Sequence, residues 1–255
     1  MNPLKSGALA DKRILVTGSS RGIGADTVTY FAEAGARVVV NYRNKEARAL
    51  KLVASIEQAG GTAIAIGADL TDAGDVAGMF ETIEKSYGGL DILVMNASGG
   101  MESGMAVDYA MQLNRDAQVS LLRAALPLLG TGSRVVFVTS HQAHFIKTVE
   151  TMDEYETVAL SKRAGEDALR ELIPELENLG IGFVVVSGDM IEGTITATLL
   201  QRANPDAINQ RREAAGKLYN VSEFAAEVVL AAVEPIPEGH IRYVGDVSDF
   251  LSSER

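Results

Sequence analysis

Two hydrophobic periods alternate along the chain. Short unbroken apolar runs, such as Ile14-Leu15-Val16, Val38-Val39-Val40 and Ile92-Leu93-Val94-Met95, are separated by longer stretches in which apolar residues fall three or four positions apart. The runs predict strands buried on both faces of a parallel sheet, and the wider spacing predicts amphipathic helices packed over it. After the first strand, the pattern Ile23, Val28, Phe31, Ala32 predicts a helix that stops at Gly35. Arg37 to Asn41 reads as a second strand, Lys45 to Gln58 as a helix ending at Gly60-Gly61, and Ala63 to Ile66 as a third strand. A helix capped by Asp72 runs to about Ser86, Gly88-Gly89 closes it, and Asp91 to Met95 is a fourth strand.

The second half continues the alternation. A long helix is expected from about Met105 to Leu129, then a strand from Arg134 to Thr139, a loop, and a helix from near Asp153 with Asp153 and Glu156 as its capping box. Pro174 should kink or end that helix, Phe183 to Val186 forms a sixth strand, and Ile241 to Val244 a short last one. The fold class is therefore α/β: a Rossmann-like doubly wound parallel sheet of about seven strands, in one domain over residues 1–255. Residues 190–218 carry no strand signal and two short helical patterns split around Asn204-Pro205. They follow a strand's C-terminal end, the edge where open α/β sheets bind ligands, so the segment reads as a substrate lid, with an inert packed insertion as the alternative.

Composition narrows the partners. With 34 acidic against 23 basic side chains the net charge is −11, which repels nucleic acid and anionic membrane alike. No apolar stretch reaches the roughly 18 residues needed to cross a bilayer, and residues 1–11 lack the apolar centre of a secretion signal, so a cytoplasmic protein is expected. There is no cysteine, which excludes disulfides and thiolate chemistry, and three histidines leave little room for a metal site.

Between the first strand and the first helix lies Thr17-Gly18-Ser19-Ser20-Arg21-Gly22-Ile23-Gly24. Glycines at a strand-to-helix junction let the backbone close on a pyrophosphate, whose charge is met by free amides at the helix N-terminus. Gly18, Ser20, Arg21, Gly22, Ile23 and Gly24 are thus candidate dinucleotide ligands. No acid follows the second strand, where an NAD site would place one; Asn41-Tyr42-Arg43 stands there instead. Two arginines near one ribose, Arg21 and Arg43, fit the extra phosphate of NADPH, although Arg43 could equally cap or solvate the next helix.

The spacing T-G-x-x-x-G-x-G resembles that of the short-chain dehydrogenase/reductase family, and the resemblance extends over nearly the whole chain. It implies that Asp69-Leu70 contacts adenine, an acid that could otherwise serve as a helix-start residue. Asp91-Ile92-Leu93-Val94-Met95-Asn96-Ala97-Ser98 is similar to the family's D-x-L-V-N-N-A-G, with Met95 and Ser98 as departures; Asn96 and Ala97 can still line the cofactor. By the same resemblance Asn114 holds a proton-relay water, Ser140 hydrogen-bonds the substrate carbonyl, and Lys162 holds the nicotinamide ribose. Relatives commonly pair through long helices, which implies a homodimer or homotetramer.

The family's Y-x-x-x-K signature is incomplete, since the position four before Lys162 is Val158, which has no proton to donate. Tyr155 lies on the lysine's helix face but displaced from the usual site by about 4.5 Å of rise. Tyr155, His141 and His144 are candidate donors, and the third possibility is water or the substrate itself. A positioned acid is worth about 10²–10⁴ in rate, whereas bringing hydride donor and acceptor together is worth about 7–11 kcal/mol, so activity can survive a weak acid. Six methionines, Met95, Met101, Met105, Met111, Met152 and Met190, fall in segments expected around the nicotinamide end, which suits a flat apolar or aromatic small molecule. The Asn96–Gly100 and Ser140–His144 segments further resemble a tyrosine-lacking subset of the family that includes an angucyclinone ketoreductase of simocyclinone biosynthesis. The expectation is an NADPH-dependent ketoreductase acting on an activated carbonyl, with a cofactor-binding sensor without turnover as the rival.

Overall fold

The computed structural model describes residues 1–101, 106 and 108–252. In chain order the first half comprises β1 (Arg13–Val16), α1 (Gly22–Glu33), β2 (Arg37–Tyr42), α2 (Glu46–Gln58), β3 (Thr62–Gly67), α3 (Ala73–Tyr87) and β4 (Leu90–Met95). Then come α4 (Tyr109–Met111), a π-helical turn (Gln112–Asp116), α5 (Ala117–Ala125), β5 (Leu129–Ser140), α6 (His141–His144), α7 (Asp153–Arg170), α8 (Ile173–Asn178) and β6 (Gly182–Gly188). The chain ends with α9 (Ile195–Ala203), α10 (Ala207–Ala215), α11 (Val221–Val233), β7 (Ile241–Val244) and α12 (Ser248–Ser252).

The seven strands form one sheet in the order β3-β2-β1-β4-β5-β6-β7, every pair parallel. Alternation of side chains splits its apolar residues between two layers. Ile14, Val16, Val38 and Val40 pack with Phe31 of α1 and Phe224 and Val228 of α11, whereas Leu15, Val39 and Leu93 pack with Phe80 of α3 and Leu121 and Leu122 of α5. Strand order reverses between β1 and β4, which opens a crevice at their C-terminal ends, the place where a doubly wound sheet receives its ligand.

Three expectations from the sequence are corrected. The helix expected from Met105 to Leu129 is not continuous: Met105 lies outside the described residues, and the rest is broken by the π turn at Gln112–Asp116 and a 3₁₀ turn at Leu126–Leu128. A Cβ on Gly165 of α7 would come within 2.0 Å of the Asn114 carbonyl oxygen, so the widened turn coincides with a backbone-to-backbone approach that helix periodicity does not report. Pro127 sits at the start of the 3₁₀ turn, and β5 begins directly after it, five residues before the expected Arg134; Leu129 already pairs with Leu90, ahead of the glycine-rich stretch that hid the strand. Finally, Asp153 and Glu156 form no capping box. The N-cap is Met152, so Asp153 is one residue too far along and joins Glu154 and Glu156 as first-turn acids facing the helix dipole.

The other strands and helices named from the sequence are present, while α6, α8, α11 and α12 were not anticipated. Asp72 caps α3 through Gly74 and Asp75, α7 ends at Arg170 ahead of Pro174, and α9 and α10 flank Asn204-Pro205. Among the described residues, no helix is long and apolar enough to cross a membrane.

Candidate active site

The glycine loop is held from beneath. Thr17 Oγ1 accepts from the Asn96 and Ala97 amides at 3.0 and 3.1 Å, and Asn96 Nδ2 donates to the Thr17 carbonyl at 2.9 Å, tying the loop after β1 to the loop after β4. Asn41, buried at the end of β2, accepts from Gly18 N at 2.9 Å and donates to the Ile66 and Ala68 carbonyls at 3.4 Å. Gly18 adopts φ +62°, and a Cβ on Gly24 would lie 2.7 Å from Asn96 Nδ2 and 2.8 Å from Ser19 Cα. A side chain at either place would deform the loop.

Above this loop runs a cleft of ≈ 610 Å³. Gly18, Ser20, Arg21, Gly22, Ile23 and Gly24 form one wall, and Arg43, Asp69, Leu70, Asn96 and Ala97 also line it. Arg43 hydrogen-bonds the Tyr109 hydroxyl and places its guanidinium 5.5 Å from that ring's centroid. Arg43 is exposed, and its contact is with Tyr109 rather than with the N-terminus of α2. The Asp69 carboxylate lies at the cleft but accepts from Thr71 N and Oγ1 at 3.0 and 2.7 Å, closing the turn before α3.

At the other end, Ser140, Tyr155, Val158 and Lys162 meet. Ser140 is the last residue of β5 and the N-cap of α6, accepting from Ala143 N at 3.2 Å, and its Oγ lies 3.1 Å from the Tyr155 hydroxyl. Burial raises the Tyr155 phenol above its ordinary value and the Ser140 hydrogen bond opposes the rise, so the phenol is protonated at neutral pH. Burial lowers Lys162 to about 8, with the carboxylate of Glu166 one turn on working against it. No side chain or carbonyl among the described residues hydrogen-bonds the Lys162 ammonium. Val158, one turn before the lysine, also lines the cleft.

Other expected groups stand elsewhere. Asn114 does not line the main cleft; its Nδ2 donates to the Gly99 carbonyl and to Ser161 Oγ, both at 2.9 Å, so both amide hydrogens staple the loop after β4 to α7. His141 is sealed in the core with Nε2 donating to the Val244 carbonyl at 3.2 Å and Nδ1 accepting from Ser187 at 2.8 Å, and burial lowers it to about 4. It is a neutral structural imidazole that does not reach the cleft. His144 also faces away, held between Glu166 at 2.9 Å and the Tyr243 hydroxyl at 3.1 Å. Both histidines occupy a short helix rather than the expected loop, which turns their rings from the cleft. Of the methionines, Met101, Met152 and Met190 line the cleft; Met95 lies in the core beneath the sheet, Met111 is not at the cleft wall, and Met105 is outside the described residues.

These residues fit a dinucleotide. The glycine loop leaves a cradle that a Cβ would fill, and the buried ammonium of Lys162, in the same cleft, has no hydrogen-bond partner among the described residues. The family model for short chain dehydrogenases matches residues 12–204. The chain belongs to the short-chain dehydrogenase family. It is 37% identical over 142 residues to the short chain dehydrogenase/reductase AacuN of Aspergillus aculeatus, which is 53% of this chain and 54% of that protein, so it spans about half the length of this curated relative. A short chain dehydrogenase from Burkholderia cenocepacia in complex with NADP is 30% identical, superimposes with a TM-score of 0.76, and the match covers 93% of this chain and 98% of that one. The landomycin C-6 ketoreductase LanV with bound NADP and rabelomycin is 28% identical, with a TM-score of 0.73 and coverage of 91% and 92%.

Sequence reasoning missed several residues of this short-chain dehydrogenase's cleft. Asn41 had a readable signal, a lone amide closing an otherwise apolar strand. Tyr109, Gln142 and Asp189 had none, because their partners lie far away in sequence.

Proposed function

We propose that the chain is an NADPH-dependent ketoreductase that reduces a carbonyl on a flat, apolar or aromatic substrate. The observation that carries this reading is the 3.1 Å contact between Ser140 Oγ and the Tyr155 hydroxyl, in a cleft shared with Lys162 and the glycine loop. The cofactor, when bound, supplies the hydride. The substrate's oxygen sits against Ser140 and Tyr155, Lys162 holds the nicotinamide ribose, and the protonated phenol of Tyr155 neutralises the new alkoxide. Burial holds the Tyr155 phenol above its ordinary value, so it is a weak acid. An activated carbonyl, with an adjoining phenol or enol, suits such a site better than a simple ketone.

Arg21 and Arg43 favour NADPH, since two guanidinium groups lining the cleft beside the glycine loop match a phosphate. The NADP-bound relatives support the same choice. Thr194–Ala197, Leu199 and Leu200 line the cleft, so residues 190–218 act as the substrate lid. The test is NADPH consumption with a panel of quinones and polyphenolic ketones, beside fluorescence titration with NADPH. Binding without turnover would favour a sensor, absence of binding would overturn the reading altogether, and equal rates with unactivated ketones would remove the requirement for activation.

A further inference from the structure

Hydride transfer makes no use of Gln142, a polar side chain of the cleft. Gln142, two residues beyond Ser140 on α6, lines the cleft together with Asp189, which follows β6. Its Nε2 donates to Asp189 Oδ1 at 2.8 Å. Asp189 in turn accepts from Met190 N at 2.7 Å and from Arg211 Nε at 2.9 and 2.8 Å on its two oxygens. The carboxylate is only 5% exposed and its partner guanidinium 17%, so the two-oxygen contact with Arg211 holds it in place.

An ionised carboxylate can only accept hydrogen bonds, and this decides how the amide of Gln142 stands. Its NH₂ must face Asp189, so its carbonyl oxygen must face away. That oxygen receives no hydrogen bond from the described residues, yet it is not among the oxygens sealed from solvent. Gln142 lines the cleft, so this oxygen is an oriented acceptor two residues beyond the serine that meets the reacting carbonyl. A ligand that shuts out water there must supply a donor or leave the oxygen unpaired, which discriminates strongly between a hydroxyl and an ether.

We propose that Gln142 is a specificity-determining residue that accepts a hydrogen bond from a substrate hydroxyl near the reduced carbonyl, so the substrate class is the hydroxylated aromatic ketone. This rests on the ketoreductase reading above. The ion pair sets the polarity of the contact, since Arg211 fixes Asp189 and Asp189 fixes the amide. Because Arg211 belongs to α10, the lid segment takes part in selecting the substrate.

The experiment compares NADPH-dependent kcat/KM for ring-hydroxylated α-tetralones and their methyl ethers in the unaltered protein, Gln142→Met and Asp189→Asn. The unaltered protein should prefer the hydroxylated partner by about tenfold or more. Gln142→Met, which keeps the length of the side chain and loses the acceptor, should collapse the ratio towards unity. Asp189→Asn lets the neighbouring amide turn its NH₂ towards the cleft, and should shift the preference towards the ether. Turnover without hydroxyl preference, or a ratio untouched in Gln142→Met, overturns this inference alone. If Gln142→Met does not fold, the preference of the unaltered protein and its response to Asp189→Asn decide. Failure of the unaltered protein to oxidise NADPH with any of these ketones overturns the ketoreductase reading and this inference with it.

Discussion

The Tyr155 hydroxyl and Ser140 Oγ meet at 3.1 Å, joining the first turn of α7 to the tip of β5. A proton on the phenol thereby has a short route to any oxygen lodged against the serine. Tyr155→Phe should lower kcat by about 10²–10⁴ with little change in NADPH affinity. Steady-state kinetics beside an NADPH titration check it, and a loss under about tenfold would remove Tyr155 as the acid. Ser140→Ala should cost a similar factor and, in addition, about 1 kcal/mol of stability through the lost cap of α6.

Lys162 titrates within reach of ordinary buffers, since burial lowers it to about 8. Its cation is complete below that pH and disappears above it. NADPH affinity should therefore weaken as pH rises through about 8, by up to about tenfold per pH unit, and Lys162→Met should abolish that dependence. Fluorescence titrations across a pH series measure both.

His141 should matter for stability rather than turnover. Its folded value of about 4 lies below the ordinary 6.5, so the unfolded chain takes up the proton first. The stabilisation is whole above about pH 6.5 and is lost as pH falls towards about 4, by up to about 3 kcal/mol. Thermal melts at a series of pH values should show a smaller acid loss in His141→Gln than in the unaltered protein, while its kcat at neutral pH falls by less than about tenfold.

Gly165→Ala tests the contact between α7 and the π turn. The added methyl would stand 2.0 Å from the Asn114 carbonyl oxygen, a backbone atom that cannot rotate aside. Overpacking of this kind costs about 3 kcal/mol or more, and circular-dichroism melting should fall by several degrees.

Much of this architecture was legible because its signals are local. Apolar runs marked every strand, glycines and prolines marked their ends, and the loop from Thr17 to Gly24 needed only its flanking strand and helix to be read. Ser140 and Lys162 were found by their positions within motifs, and both reach the cleft. What escaped depends on contacts between distant segments. The π turn lies against Gly165, about fifty residues later, and the first residues of β5 pair with Leu90, which their own composition does not signal. Helical spacing placed Tyr155 on the lysine's face but could not supply its partner, which comes from the end of a strand. The histidines beside Ser140 were misleading for the same reason: where a ring points is set by Val244, Ser187 and Glu166, none of them near in sequence.

Asn41 has turned its whole amide inward, one end to Gly18 and the other to the turn after β3. The first guanidinium beyond it stands two residues later at the cleft, at Arg43, whose companion is the Tyr109 ring. The scaffold of the turn and the charge displayed beside it are thus assigned to separate positions. On the proposed reading, exchanging one coenzyme for the other calls for a change at position 43 and leaves the Asn41 anchor of the glycine turn undisturbed.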